Sequence, residues 1–128
     1  MPITAIYAAI IAVLIVVLAA RIVPLRRSRR VGLGDGGDKD LRRAVRTHAN
    51  LVEYAPMALI LMAACEFNGG PSWLLHGLGV ALVAGRLLHV LGLSRSSGIS
   101  FGRTAGTALT WSVLLAGALA AVWLAIFA

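Results

Sequence analysis

Two long stretches of this chain contain no charged residue, and they constrain its fold more than any other feature. They are residues 3–20, ITAIYAAIIAVLIVVLAA, and residues 104–128, at opposite ends of the sequence. A helix that crosses a lipid bilayer needs about 20 predominantly apolar residues, and it satisfies its backbone hydrogen bonds within itself. Both stretches are therefore predicted to be transmembrane helices.

Two further segments are apolar overall but carry ionisable side chains, and they complete a set of four helices. The chain is 59% hydrophobic and 13% charged, whereas soluble domains have about 25% charged residues. The sequence therefore predicts a single all-α domain over 1–128, an integral membrane four-helix bundle with up-down-up-down topology. Its helices are expected at about 3–23, 44–66, 72–93 and 103–127, with a loop at 24–43.

The twelve Lys and Arg residues all lie towards one side of the membrane in this topology. Nine fall between residues 21 and 46, and the others are Arg86, Arg95 and Arg103. Because Lys and Arg concentrate in cytoplasmic loops, the loops 24–43 and 94–102 are predicted to be cytoplasmic, with both termini outside. The first helix is predicted to be a retained anchor, since no positive charge precedes it as in a signal peptide.

The net charge of +7 is interpreted as a product of this topology and of attraction to anionic membrane lipid. The basic stretches lack the interleaved aromatic residues that stack bases, so nucleic acid is not an expected partner. No metal site is predicted at His48 or His89, because no second or third ligand stands at suitable spacing. Cys65 is the only cysteine, which excludes an intrachain disulfide.

Two local patterns predict how the helices are joined and packed. The turn-rich segment VGLGDGGDKD at 31–40 is predicted to be a tight loop, with Asp38 or Asp40 capping the second helix. Small residues recur every four positions in the third and fourth helices, which predicts close helix contact. They are Gly77, Ala81 and Gly85, followed by Gly102, Gly106 and Thr110.

A stripe of polar residues follows one face of the second helix, in the segment RTHANLVEYAP. Arg46, Asn50, Glu53 and Tyr54 stand at positions i, i+4, i+7 and i+8, which share one helical face. Glu53 lies about 10 Å deeper than Arg46, at a rise of about 1.5 Å per residue. A carboxylate facing lipid at that depth is costly, so the stripe is predicted to face protein or a water-filled cleft.

Cationic residues of the other helices converge on the same side of the bundle. Arg86 and His89 form an i, i+3 pair in the third helix, and Arg103 begins the fourth. In one interpretation Glu53 is neutralised by Arg86 or Arg103, which holds the bundle together. In the other, the surplus of cations over carboxylate forms a cleft for a small zwitterionic ligand with two or more carboxylates.

Four segments together resemble one known family. GDGG at 34–37, RTHANLVEYAP at 46–56, Glu66, and GRLLH at 85–89 resemble the membrane-associated proteins in eicosanoid and glutathione metabolism, the MAPEG family of microsomal glutathione transferases and leukotriene C4 synthase. The GDGG loop resembles its bacterial branch, which implies a bacterial inner membrane. The resemblance covers most of the chain, and it implies a homotrimer with glutathione bound at each subunit interface, towards the cytoplasmic side.

The resemblance also implies roles for individual residues. Glutathione is expected to meet Glu53 at its amino group and Arg46 near a carboxylate, and Arg103 is expected to stabilise its thiolate as the catalytic residue. A thiol with a pKa of about 8.5 becomes a better nucleophile when a guanidinium favours its anion. The remaining residues expected to bind glutathione are Asn50, Tyr54, His48, Arg21, Arg86 and His89.

The predicted function is that of a membrane glutathione transferase or peroxidase, acting on a lipophilic electrophile or hydroperoxide. One departure favours binding over catalysis: Leu93 stands where the family commonly has a tyrosine on the third helix. One alternative is therefore a non-catalytic member that binds glutathione or another anionic amphiphile. A remote alternative is a small proton-coupled multidrug transporter, whose essential carboxylate usually lies in the first helix, where this chain has none through residue 20.

Overall fold

Four long α-helices make up the fold in the computed structural model, which describes residues 2–95 and 100–127. The helices are α1 (Ile3–Arg29), α2 (Lys39–Phe67), α3 (Ser72–Arg95) and α4 (Phe101–Phe127). No strand occurs within the described ranges. Each of the four helices contains a segment that is long and apolar enough to cross a membrane. The predicted integral membrane bundle is therefore confirmed.

Contacts between helix ends establish the topology. Glu66, near the end of α2, accepts hydrogen bonds from the backbone N–H groups of Ile3 and Thr4 at the start of α1. Tyr7, also near the start of α1, bonds to His76 near the start of α3. The end of α3 lies beside the start of α4, which places consecutive helices antiparallel. The predicted up-down-up-down arrangement is confirmed.

α1 is longer than predicted at its C-terminal end, and α2 is longer than predicted at its N-terminal end. α1 continues to Arg29 instead of ending near residue 23, and α2 begins at Lys39 instead of near residue 44. Apolar sequence marks only the membrane-embedded part of a helix, whereas polar side chains can support the turns beyond it. The Arg26 guanidinium donates to three carbonyl oxygens of the following loop at 3.0 to 3.4 Å. The connecting loop is therefore 30–38, shorter than the expected 24–43.

The loop 30–38 is held by a helix cap and by ion pairs. Asp38 caps α2 by accepting from the backbone N–H of Leu41 at 2.8 Å, which confirms the predicted cap. That hydrogen bond lowers the pKa of Asp38 below its ordinary value. Arg42 pairs with Asp35, and its guanidinium lowers the pKa of Asp35 in the same direction. Both carboxylates are therefore favoured in their charged forms.

The helices α3 and α4 approach each other closely at glycines. A Cβ added at Gly106 would lie 2.5 Å from the carbonyl oxygen of Gly85 and 2.6 Å from the backbone nitrogen of His89. Only a glycine permits this separation, so the predicted close contact is found at Gly85 and Gly106. Gly77 is not part of it, because an added Cβ there would meet nothing within 4 Å. The contact brings the polar face of α3 against α4, at the level where Arg86 and His89 are buried.

Candidate functional site

Arg86 is the buried centre of the polar side of the bundle. Its side chain is 2% exposed, and it joins three helices. One terminal nitrogen of the guanidinium donates to the side-chain oxygen of Asn50 on α2 at 2.8 Å, and the other donates to the carbonyl oxygen of Gly106 on α4 at 3.4 Å. The guanidinium carbon lies 5.7 Å from the centre of the Tyr54 ring, within the range of a cation–π contact. These contacts compensate in part for removing the charge from water.

The contact with Arg86 orients the amide of Asn50. A guanidinium only donates hydrogen bonds, so the atom of Asn50 that faces it must be the amide oxygen. The Asn50 NH2 group is then the part of the side chain that remains a donor. Asn50 also lines a cavity on this side of the bundle. The contact with Arg86 therefore leaves the Asn50 NH2 group as a hydrogen-bond donor at the lining of that cavity. Arg86 itself is bonded to α2 and α4.

A cavity of about 610 Å³ opens between α2, α3 and α4, and we refer to it as the basic cavity. Five of its described lining side chains are cationic, and none is a carboxylate. Such a concentration of one sign of charge raises the local concentration of anions. The lining residues are Lys39, Arg42, Arg43, Arg46, Asn50, His89, Leu93 and Arg103. The arrangement suits an anionic or zwitterionic ligand with more than one carboxylate.

Glu53 lies beside this cavity and forms its ion pair with Arg46, on its own helix. The carboxylate oxygen is 3.6 Å from the guanidinium, and the two side chains are 50% and 59% exposed. The interpretation in which Arg86 neutralises Glu53 is wrong, because Arg86 is hydrogen-bonded to Asn50 instead. A long, half-exposed ion pair contributes little to stability, at about 0–1 kcal/mol. Arg46 and Glu53 can therefore replace their ion pair with contacts to a ligand at a small cost in free energy.

The other predicted ligand residues fall in different places. Tyr54 is half-buried beneath Arg86, and His48 is half-buried on α2, away from the described linings of the cavities. Arg21 lines a second cavity, of about 250 Å³, between α1 and α2. Four of the predicted site residues do share the lining of the basic cavity: Arg46, Asn50, His89 and Arg103.

Three cationic lining residues of the basic cavity are absent from the predicted site residues. Lys39, Arg42 and Arg43 fell within the expected loop 24–43, where their charges were attributed to topology. Because α2 begins earlier than expected, all three lie on its first turns. Their spacing before Arg46 is i, i+3, i+4 and i+7, which continues the polar stripe of the same helical face. This helical spacing is the sequence pattern that could have identified Lys39, Arg42 and Arg43 as lining residues.

A third cavity, of about 380 Å³, adjoins the basic cavity along α4, and we refer to it as the α4 groove. His89 and Arg103 line both cavities, so Arg103 lies at their junction. Trp111 and Ala108 contribute apolar surface to the groove, and two threonines contribute hydroxyl groups. A charged ligand in the basic cavity and a largely apolar one in the α4 groove would therefore meet at Arg103.

Comparison with known proteins adds to this geometry. The model of the MAPEG family matches residues 4–123, a range that includes parts of all four helices. The chain is 40% identical over 121 residues to "Inner membrane protein YecN" of Escherichia coli strain K12, a match that covers 94% of this chain and 91% of the relative. The protein of the same name from Escherichia coli O6:H1 matches with the same identity and coverage.

Proposed function

The chain belongs to the MAPEG family, and on that premise we propose that it is an integral inner-membrane protein that binds glutathione in the basic cavity and activates its thiol. The second substrate is a lipophilic electrophile or hydroperoxide that enters along the α4 groove. The observation that carries the proposal is the position of Arg103, which lines both cavities where they meet. The resulting activity is that of a glutathione transferase or peroxidase.

The residues of the polar stripe match the charged groups of glutathione. Its γ-glutamyl end carries an ammonium and a carboxylate, which are the complements of Glu53 and Arg46. Because these two side chains hold each other at 3.6 Å in a weak pair, the amino-acid end of the ligand can insert between them. The Asn50 NH2 group, oriented by Arg86, donates to a further carbonyl or carboxylate oxygen. Lys39, Arg42 and Arg43 supply the excess positive charge.

Arg103 activates the thiol in this proposal. A guanidinium near the sulfur favours the thiolate, and the thiolate is the nucleophile. Attack on an electrophilic carbon forms a thioether as a leaving group departs with its bonding electron pair, or as an epoxide ring or conjugated double bond opens and takes up a proton. Attack on a hydroperoxide breaks the O–O bond and gives an alcohol and a sulfenic acid, which a second glutathione converts to a disulfide and water. Either reaction takes place where the apolar substrate reaches Arg103 from the α4 groove.

Leu93 supports a second candidate function, that of a non-catalytic binder of glutathione or another anionic amphiphile. It is buried and lines the basic cavity. It offers no hydroxyl group at the position where the family commonly has a tyrosine. Binding through the α2 stripe does not depend on that hydroxyl group, whereas activation of the thiol is weaker without it. The transporter alternative has no such support, because α1 carries no acidic residue.

The homotrimer expected from the resemblance is part of the proposal. Arg46 and Glu53 are about half exposed on the open face of α2, and a neighbouring subunit would cover them. Covering the site would exclude water and strengthen its charge interactions. Cross-linking in mild detergent is expected to give trimers, and cross-linking that stopped at dimers would contradict this assembly.

Calorimetric titration of glutathione into the purified protein tests the binding step. Arg46→Ala should weaken binding by about tenfold, which corresponds to one charge-assisted hydrogen bond. Arg27→Ala is the matched control, because Arg27 is exposed on α1 and is absent from the described linings of the cavities. Equal affinities for the two variants would exclude the basic cavity as the glutathione site.

A further inference from the structure

The second cavity lies between α1 and α2, and we refer to it as the α1–α2 cavity. Its lining includes a carboxylate, unlike the described lining of the basic cavity. Its volume is about 250 Å³, less than half that of the basic cavity. It contains two guanidinium groups, one carboxylate and one hydroxyl group, framed by leucines of α1. The described lining residues are Leu18, Arg21, Leu25, Asp40, Arg43, Ala44 and Thr47. Of these, only Arg43 is shared with the basic cavity.

The α1–α2 cavity lies at the depth where lipid headgroups are found. Arg21 is the first charged residue after the uncharged stretch 3–20, so it marks the end of the hydrocarbon layer along α1. Leu18, nearly one turn deeper, is buried and forms the apolar end of the lining. A long guanidinium side chain at this level places its charge among phosphate groups.

The face of α1 that leads from Arg21 towards the N-terminus of the helix is apolar and exposed. Val17 and Val13 precede Arg21 by four and eight positions, so the three residues follow one helical face. Val17 is 50% exposed and Val13 is 64% exposed. The exposed apolar face leads directly to the charged cavity. This is the arrangement that accommodates one amphiphile, with an acyl chain along the valines and a polar head at Arg21.

We propose that the α1–α2 cavity binds the headgroup of a phospholipid that carries phosphoethanolamine. Arg21 and Arg43 take the phosphate, because guanidinium groups form charge-assisted hydrogen bonds to phosphate oxygens. Asp40 takes the primary ammonium. It stands three positions before Arg43, and therefore on the same face of α2. A headgroup with an anionic phosphate and a hydroxylated end would offer no ammonium group to Asp40.

Native mass spectrometry of the delipidated full-length protein tests this site. The probes are phosphatidylethanolamine, phosphatidylglycerol and free phosphoethanolamine, and the variants are Arg21→Ala and Asp40→Asn. The control is Arg27→Ala, which removes the same general attraction to anionic surfaces without altering the cavity. Size-exclusion profiles in detergent establish that each variant is folded.

The site predicts a distinct result for each variant. Arg21→Ala should retain phosphatidylethanolamine about tenfold less well than Arg27→Ala does, through loss of one charge-assisted contact. Asp40→Asn should lose the preference for phosphatidylethanolamine over phosphatidylglycerol while it still binds both. Free phosphoethanolamine should bind far more weakly than the lipid, because it lacks the acyl chains that contact α1.

Three results would overturn the inference. Equal lipid retention by Arg21→Ala and Arg27→Ala would exclude Arg21 as a ligand. Free phosphoethanolamine that bound as tightly as the lipid would assign the cavity to a soluble phosphate compound. A loss of glutathione affinity in Arg21→Ala, with lipid retention unchanged, would assign the cavity to glutathione. Glutathione binding to the Arg46 site is measured separately, so the outcome for the lipid does not depend on it.

Discussion

Both ends of the bundle contain polar side chains, but among the described residues cationic side chains line cavities at only one end. At the end where α1 begins, Glu66 accepts from the backbone N–H groups of Ile3 and Thr4, and the Tyr7 hydroxyl group bonds to His76 at 2.9 Å. At the other end, five cationic side chains line the basic cavity, without a carboxylate among its described lining residues.

The comparison separates polar residues that maintain the fold from those that can bind a ligand. Glu66 belongs to the resemblance, yet its contacts here are those of a cap on α1. Gly79 makes room for Tyr7, because a Cβ there would lie 2.3 Å from the tyrosine ring. Glu66, Tyr7 and His76 at that end meet partners within the chain. At the opposite end the described lining of the basic cavity is cationic, which is why we propose an anionic ligand there.

The largest expected effect follows from removing the buried centre of the polar side. Arg86→Ala leaves the Asn50 side-chain oxygen without the guanidinium donor, and the Gly106 carbonyl oxygen keeps only its bonds within α4, including that from the Thr110 hydroxyl group. It also leaves an empty volume in the core. We expect a loss of about 3–5 kcal/mol in the free energy of unfolding, together with weaker glutathione binding through Asn50. Thermal unfolding in detergent measures the first effect, and an unchanged melting temperature would contradict the role of Arg86.

A smaller loss is expected when α3 and α4 are forced apart. The new methyl group in Gly106→Ala would meet backbone atoms of Gly85 and His89 at about 2.5 Å, and such overpacking costs about 1–3 kcal/mol. Gly77→Ala is the matched control, since an added Cβ there meets nothing within 4 Å. The control should be neutral or slightly stabilising, by up to about 1 kcal/mol from helix propensity. Equal melting temperatures for the two variants would refute close packing at Gly106.

The comparison between the two ends is sharpened by Tyr7→Phe. This variant removes the hydroxyl group that bonds to His76 but keeps the ring that fills the space at Gly79. We expect a loss of about 1 kcal/mol in stability and no change in glutathione affinity. A fall in glutathione affinity beyond the calorimetric error would show that the two ends are coupled, which would contradict a purely structural role for the Tyr7 end.

The smallest expected effect is on the stability of the loop 30–38 when the pH is lowered. The pKa values of Asp35 and Asp38 are lowered in the folded loop from an ordinary value of 3.8. Their contribution to loop stability is therefore complete at pH values above that ordinary value, and it is lost as the pH falls through the lowered values. Hydrogen exchange at the Gly37 and Leu41 amides should show no protonation-linked loosening between pH 7 and about pH 5. Loosening across that range, after correction for the intrinsic exchange rate, would contradict the shifts.

The sequence was sufficient for features that depend on length and periodicity. The four spans follow from apolar stretches of bilayer length, the α2 stripe from helical spacing, and the contact of Gly85 with Gly106 from small residues. Charge and hydropathy did not locate the ends of α1 and α2, because Arg26 and the Asp38 cap extend both helices beyond the apolar segments.

The partner of Arg86 could not be obtained from residue types alone. Positions along two helices give the depth of each side chain, but they do not give the rotation of one helix relative to the other. Glu53 and Asn50 lie within one turn of each other on α2, and the packing of α3 places Arg86 at Asn50. Glu53 remains at the surface with Arg46. This rotation decides that Arg86 is bonded to Asn50 in the core and that Glu53 is half exposed beside Arg46.

The most direct test of the account is the ultraviolet difference absorbance of the glutathione thiolate, measured as glutathione is titrated into the purified protein at neutral pH. Arg103→Ala and Glu53→Gln are measured alongside. The account predicts a saturable thiolate signal that is lost in Arg103→Ala and requires higher glutathione concentrations in Glu53→Gln. A signal of unchanged size in Arg103→Ala, or calorimetric binding without a thiolate signal in the unaltered protein, would contradict thiol activation at Arg103.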